Sequence, residues 1–247
     1  MKWPTRWRKW YTMSSKTFIE PQKSGLLLID KPKDFSSHDI IAICRRELET
    51  RKIGHSGTLD PMATGLLILL IGRNATKKQA KFLQLPKRYR ATLTLGQETD
   101  SWDAYGEVIA EKPILPLTQA LVEQAARASS GTIEQPIPFF SAKRIRGKHM
   151  YELARKGKEM ERKYNQISVQ WTTVHLTAPN LIEFTVDCSC GTYVRSLGYL
   201  LAHQLGTVGH LTQLRREKIG SFDVVNAFDG NLLKGAGTAL YSHVEVL

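Results

Sequence analysis

Leu66 to Ile71 (LLILLI) is an unbroken apolar run set between Gly65 and Gly72. A half-exposed strand would alternate apolar with polar residues, so this run reads as a strand buried on both faces. Gly25 to Asp30 (GLLLID), ended by Lys31-Pro32, reads as another buried strand. Arg88 to Leu95 does alternate, with Tyr89, Ala91, Leu93 and Leu95 on one face and Arg88, Arg90, Thr92 and Thr94 on the other. Ile167–Leu176 and Leu181–Cys188 add two strands, the second with Ile182, Phe184 and Val186 on one face. Ser36-Ser37-His38-Asp39 reads as a capping box ahead of a helix that carries Ile40, Ile41 and Ile43 to about Leu48. Asn74–Leu83, Leu117–Ser129 and Tyr193–Leu205 read as helices, the last two stopped by Gly131 and Gly206. Strands with helices interspersed predict an α+β fold with a large mixed, mostly antiparallel sheet and flanking helices.

With 247 residues, 42% of them apolar, one large domain is expected, over residues 24–220. The first 23 residues form a basic tail. Its opening MKWPTRWRKWYT lacks the apolar stretch of a signal peptide and runs straight into Met13, so a floppy tail or a mis-assigned start is expected. Residues 134–164 hold Pro136, Pro138, the adjacent Phe139 and Phe140, and the cations Lys143, Arg144, Arg146, Lys148, Arg155, Lys156 and Lys158. They read as an exposed insertion with a short helix near Met150–Lys156. Residues 221–247 read as a short tail. No apolar run approaches the roughly 18 residues of a membrane span. The net charge of +12 and pI of about 9.7 call for an acidic partner, nucleic acid first, because Lys and Arg neutralise phosphates and release counterions. Cys44, Cys188 and Cys190 make no disulfide framework, which fits a reducing cytoplasm. Cys188-Ser-Cys190 has no second ligand pair at zinc spacing.

The chain has no G-x-x-x-x-G-K-[ST] phosphate loop, no G-x-G-x-x-G dinucleotide turn, no H-E-x-x-H and no G-x-S-x-G elbow. Chemistry resting on ordinary side chains, without cofactor or metal, is the expectation. In the glycine-rich loop Gly54–Pro61, Asp60 is the one acidic residue, placed just before the buried run. Pro61 biases Asp60 away from helical geometry and so fixes the direction of its side chain. A carboxylate held this way can act as a nucleophile; equally, an Asp can cap its own turn. Arg195, in Gly191–Arg195, falls in a first helical turn, where the dipole disfavours a cation. That suggests an anionic partner, a phosphate or a carboxylate such as Asp60, against the alternative of a solvated surface Arg. Lys87-Arg88-Tyr89-Arg90 suits a backbone-tracking groove with a stacking ring, or an ordinary edge strand with Tyr89 in the core.

The stretch Gly54–Leu67 (GHSGTLDPMATGLL) resembles the signature of the TruB family, which makes pseudouridine at position 55 in the T-loop of tRNA. Gly25–Pro32 with Ser36-Ser37 agrees in order, as do Lys87–Arg90 with Leu95–Asp100, Ser141–Lys143 with Gly147, Tyr151 and Ala154-Arg155, Gly191–Arg195, and Leu214–Arg216. The resemblance covers roughly residues 24–220. It implies one large mixed sheet with a thumb-like insertion at 134–164. It implies that Asp60 is the essential aspartate, that Arg195 pairs with it, and that Tyr89 stacks on the flipped uracil. His55 is similar to the residue that fills the space the base leaves, Tyr193 and Leu214 to residues lining the uracil pocket, and Lys31-Pro32 to a segment beside the active site. Cys190 and Phe140 depart from the commoner Lys or Ser and Tyr. Relatives commonly carry a small RNA-binding PUA domain, which the residues after Gly220 are too few to form. The expected partner is tRNA, met by a monomer with no obligatory protein partner. Two rivals are a guide-RNA-dependent synthase subunit and a tRNA chaperone without catalysis.

Overall fold

The structure, a computed structural model, describes residues 24–141, 144–145, 148–149 and 161–247. The elements follow in the order β1 (Gly25–Lys31), α1 (Ser37–Glu47), β2 (Ile53–His55), β3 (Thr64–Ile71), α2 (Gly72–Thr76), α3 (Gln79–Gln84), β4 (Lys87–Leu95), β5 (Gln97–Thr99) and β6 (Val108–Glu111). Then come α4 (Gln119–Ala128), β7 (Gly131–Pro136), β8 (Arg144–Ile145), β9 (Lys148–His149), β10 (Tyr164–Ala178), β11 (Leu181–Cys188), α5 (Val194–Gln204) and β12 (Gly209–Ile219). The short strands β13 (Phe222–Asp223), β14 (Phe228–Asp229) and β15 (Glu245–Val246) close the order. One sheet runs β14-β1-β3-β12-β4-β11-β10-β7, with β2 on β3, β13 on β12 and β15 on β1. All its pairings are antiparallel except β1–β14 and β3–β12. The large, mostly antiparallel sheet expected from the sequence is therefore present.

β3 is covered on both faces, as its apolar run requires. Leu67, Leu69 and Ile71 pack with Ile40, Ile41 and Cys44 of α1. Leu66, Ile68 and Leu70 pack with Ala75 of α2, Phe82 of α3 and Ile219. The capping box starts α1 as read: Ser36 Oγ accepts from Asp39 N, and Asp39 Oδ2 accepts from Ser36 N at 2.8 Å. A third cluster fills the far half of the sheet under α4 and α5, from Tyr89, Leu93 and Phe184 to Leu201 and Leu211.

Several expectations need correction. The single helix read over Asn74–Leu83 is two, α2 and α3, broken at Lys77-Lys78. The loop read over 53–65 begins with strand β2, paired to the end of β3. The insertion is shorter than 134–164, because Glu134 and Pro136 pair with Gln166 and Tyr164 inside the main sheet. The helix expected near Met150–Lys156 lies outside the described residues. Residues 221–247 are not a loose tail: β14 and β15 pair with β1, and Leu233, Leu240 and Val244 join Ile40 and Leu48 in the core beside α1. The sequence reading also passed over β12, a central strand. Its HLTQLRREKI segment looks polar, and bulges between Leu211 and Gln213 and between Arg216 and Lys218 break the alternation.

β12 joins the two halves of the sheet. It pairs antiparallel with β4 along most of its length and parallel with β3 at two positions only, Arg215 with Thr64 and Arg216 with Gly65. Arg215 also reaches past β3 to Asp30 of β1 in a forked ion pair, at 3.0 and 2.6 Å. Gly65 permits the joint. Its φ is +103°, and a Cβ there would stand 2.2 Å from the Arg216 carbonyl oxygen. Gly65→Ala is therefore expected to cost about 2 kcal/mol or more and to lower the melting temperature by at least about 4 °C. A melt within about 1 °C of wild type would contradict this close approach.

Candidate active site

Asp60 sits in the turn that leads into β3, and the loop is fastened on both sides of it. Before it, Ser37 Oγ accepts from Leu59 N at 2.8 Å and faces the Leu59 carbonyl at 3.3 Å. After it, the Pro61 carbonyl accepts from Asp34 N at 2.8 Å and from Lys31 Nζ at 3.4 Å. Leu59 and Met62 are buried in the core beneath. The turn is closed by a backbone bond, Ala63 N to the Asp60 carbonyl at 3.0 Å. The carboxylate itself, 36% exposed, meets Arg195 Nε at 2.9 Å through Oδ2. Of the two readings open in sequence, a self-capping Asp does not describe this geometry.

Arg195 is 3% exposed, so its charge is taken out of water and must be matched. Nη1 donates to the Ser101 carbonyl at 2.7 Å and pairs with Asp103 Oδ2 at 3.3 Å. Nη2 donates to the Phe140 carbonyl at 2.9 Å. The guanidinium thus uses every nitrogen, with Asp60 at its most exposed edge. Asp103 is buried, and burial raises its pKa while Arg195 opposes the rise. Ser101 Oγ donates to Asp103 Oδ1 at 2.7 Å and fixes the carboxylate. Asp103 went unsingled in sequence, because nothing local distinguishes it in Ser101-Trp102-Asp103; only the fold brings it to Arg195.

Lys31 has no exposed surface, and its ammonium donates to the carbonyls of Pro32 (2.8 Å), Phe35 (2.7 Å) and Pro61. Burial lowers its pKa to about 8, with Asp60 pulling it back up, so at pH 7 it keeps its proton. Its work here is to lock the loop behind Asp60. Pro32 supplies one of those carbonyls, and its ring lies against Gly230.

Arg216 is a second residue that sequence reasoning left without a role. It is 1% exposed; Nε donates to the Leu66 carbonyl at 2.7 Å and Nη2 to the Gly57 carbonyl at 3.1 Å. It therefore ties both ends of the Asp60 loop to β12. It also hydrogen-bonds Tyr89, whose phenol pKa is raised by burial and eased down by Arg216. Tyr89 is 8% exposed, in one core cluster with Leu59, Met62 and Leu214, so it is a core residue and a neighbour of Asp60 at once. Tyr193 caps α5, donates its backbone N–H to Gln135 Oε1 at 3.1 Å, and has a hydroxyl bonded to Ser141. Burial raises its pKa.

His55 lies at the loop's other end on β2. Nδ1 accepts from Gly57 N at 3.1 Å, and the ring meets His38 edge-on at 5.9 Å. Burial, with help from His38 and Arg216, lowers its pKa from 6.5 to about 4. At neutral pH it is an uncharged plane with its proton on Nε2. The structure thus gathers Asp60, Arg195, Lys31, Tyr89 and Leu214 around one loop, with His55 and Tyr193 at its two margins.

Residues 45–194 match the family model described as TruB family pseudouridylate synthase (N terminal domain). The chain belongs to the TruB family of pseudouridylate synthases. It is 42% identical to the tRNA pseudouridine synthase B of Protochlamydia amoebophila (strain UWE25) over 83% of this chain and 78% of that one. It is also 42% identical to the protein of the same name from Opitutus terrae, over 85% and 87%. Among solved structures it superposes on one of a Cbf5-Nop10-Gar1 complex with a TM-score of 0.65. At 24% identity, over 90% of this chain and 57% of that one, this is a likeness of fold alone. As a TruB pseudouridylate synthase, the chain is an isomerase. Arg195→Lys keeps the cation but loses the planar fork that meets two carboxylates and two carbonyls at once. It is expected to lower kcat at least about 100-fold, read in a tritium-release or mapping assay. A rate within about threefold of wild type would contradict a geometric role.

Proposed function

We propose that this synthase converts uridine 55 in the T-loop of tRNA to pseudouridine, with Asp60 as nucleophile. The observation that carries the reading is the Asp60–Arg195 pair, a water-accessible carboxylate held by a buried, fully bonded guanidinium in a loop fastened on both sides. The names of the relatives, tRNA pseudouridine synthase B, support the substrate. So does the surface beside His55, where Arg51, Lys52, Arg73, Lys77, Lys78 and Lys81 are all exposed, a spread of cations suited to tracking phosphates.

The chemistry follows from the groups present. A uridine stacked in a folded loop must leave its stack first, at a cost of a few kcal/mol. Stacking on one aromatic ring returns about 1–3 kcal/mol. Tyr89 supplies that ring, and the neutral His55 occupies the vacated space; as an uncharged plane it does so without desolvating a cation. Phosphate contacts provide the remainder. The Asp60 carboxylate then attacks the nucleotide, at C6 of the uracil or C1′ of the ribose. The C1′–N1 bond breaks, the base turns, and a C1′–C5 bond forms. Loss of the C5 proton and gain of one at N1 return a neutral isomer and release Asp60. Electrons and atoms balance with no redox partner. Arg195 aims the carboxylate, while Asp103 and the two carbonyls keep Arg195 in place.

Incubating the purified chain with an unmodified tRNA transcript, then mapping pseudouridine at single-nucleotide resolution, tests the reading. Pseudouridine is expected at position 55 and absent from a transcript carrying cytidine there. No product, or product confined to other positions, would overturn it.

A further inference from the structure

The proposed reaction does not use the rings that stand behind Arg195. Arg162 lies just before β10, on the returning side of the insertion, and Phe139 lies just after β7, on the outgoing side. Ile137 N donates to the Lys163 carbonyl at 2.8 Å and draws the two stems together. The Arg162 guanidinium carbon then stands 4.5 Å from the centroid of Trp102 and 4.5 Å from that of Phe139. Trp102 continues the stack: its ring lies on Tyr199 of α5 at 4.3 Å and 24°, and Tyr199 on His203 at 4.2 Å. Trp102 Nε1 donates to Glu98 at 3.0 Å, and His203 Nε2 lies 3.4 Å from the same carboxylate.

What these rings are attached to gives the stack its meaning. Ser101 and Asp103, the chain neighbours of Trp102, both contact Arg195 Nη1, and Phe140, the neighbour of Phe139, accepts from Nη2. Each of Arg195's supports other than Asp60 is thus one residue from a ring that Arg162 touches. Trp102 also holds a left-handed backbone, φ 60°, which an L residue adopts only when its surroundings enforce it. Arg162 Nη1 is buried with no hydrogen-bond partner. A donor left so is costly, and the guanidinium is held instead through its faces, between two rings.

We infer that Arg162 is a positioning residue of the synthase, clamping Trp102 and Phe139 so that Ser101, Asp103 and Phe140 hold Arg195 against Asp60. The inference rests on the reading of Asp60 and Arg195 as the reacting pair. It means that the two stems of the insertion are wired to Arg195, so that the placement of these stems sets the aim of the nucleophile.

Arg162→Ala and Arg162→Lys in the full chain test this, with a tRNA transcript as substrate. Lys keeps the charge but cannot lie flat between two rings. Both variants are expected to lose about tenfold in the maximal single-turnover rate, with the half-saturating concentration within about twofold of wild type. In an Arg195→Lys background, removing Arg162 is expected to add less than about twofold, because the two act in series. An unchanged maximal rate overturns the inference. So does a raised half-saturating concentration rescued by Lys, the mark of a phosphate contact. Additive losses, or losses that follow a fall in folded fraction at the assay temperature, also overturn it. A wild-type chain that makes no pseudouridine overturns instead the reading of function on which the inference rests.

Discussion

Two residue pairs, Thr64 with Arg215 and Gly65 with Arg216, join the halves of this sheet, and the Asp60 loop hangs from that joint. Parallel pairing needs a crossover, and here it is supplied by everything between β3 and β12. The consequence is that the start of β3, which follows Asp60, lies beside the strand that carries Leu214, Arg215 and Arg216. β4, with Tyr89, is that strand's next neighbour. Arg216 then turns proximity into fixed geometry by bonding the carbonyls of Gly57 and Leu66, one on each side of Asp60. A buried arginine is costly unless every donor finds an acceptor. Here two of the partners are backbone carbonyls, which cannot move without moving the loop.

The second buried arginine works differently. Arg195 faces two carboxylates whose environments diverge: Asp103 is buried, Asp60 is open to water on one side. Coulomb attraction to Asp103 and two carbonyl bonds hold the guanidinium in the protein, which leaves Nε to orient Asp60. The geometry of the Asp60 carboxylate is therefore fixed by the protein itself. Lys31 adds a third buried cation, yet it bonds carbonyls rather than the Asp60 carboxylate. Three cations thus surround one carboxylate, and one of them touches it.

How much of this the sequence disclosed depended on distance along the chain. Asp60 could be singled out because its signals are adjacent: glycines before it, Pro61 after it, an apolar strand next. Arg195 could be questioned because a cation in a first helical turn is locally wrong. The double burial of β3 followed from LLILLI alone. Tyr89 stayed ambiguous because alternation in β4 fits a core residue and a site residue equally, and the structure buries it in the core near Asp60. Asp103 and Arg216 were hidden for a physical reason. A charged residue reads as surface by default, and what reverses that here is a partner on a distant strand or helix. β12 was missed for the same reason: its arginines look solvated, and its bulges erase the period. The folding-in of residues 221–247 was also invisible, since Leu233, Leu240 and Val244 are too widely spaced to show a pattern and find their partners in α1.

The account makes Asp60 a nucleophile held in place by other residues and carrying little of the architecture itself. The direct measurement is Asp60→Asn, in which the amide keeps the shape and loses the charge. Its pseudouridine formation in single turnover is followed beside its affinity for tRNA and its thermal melt. The account predicts no product above background, with affinity within a few-fold and folding intact. Turnover clearly above background, or loss of binding and folding together, would contradict it.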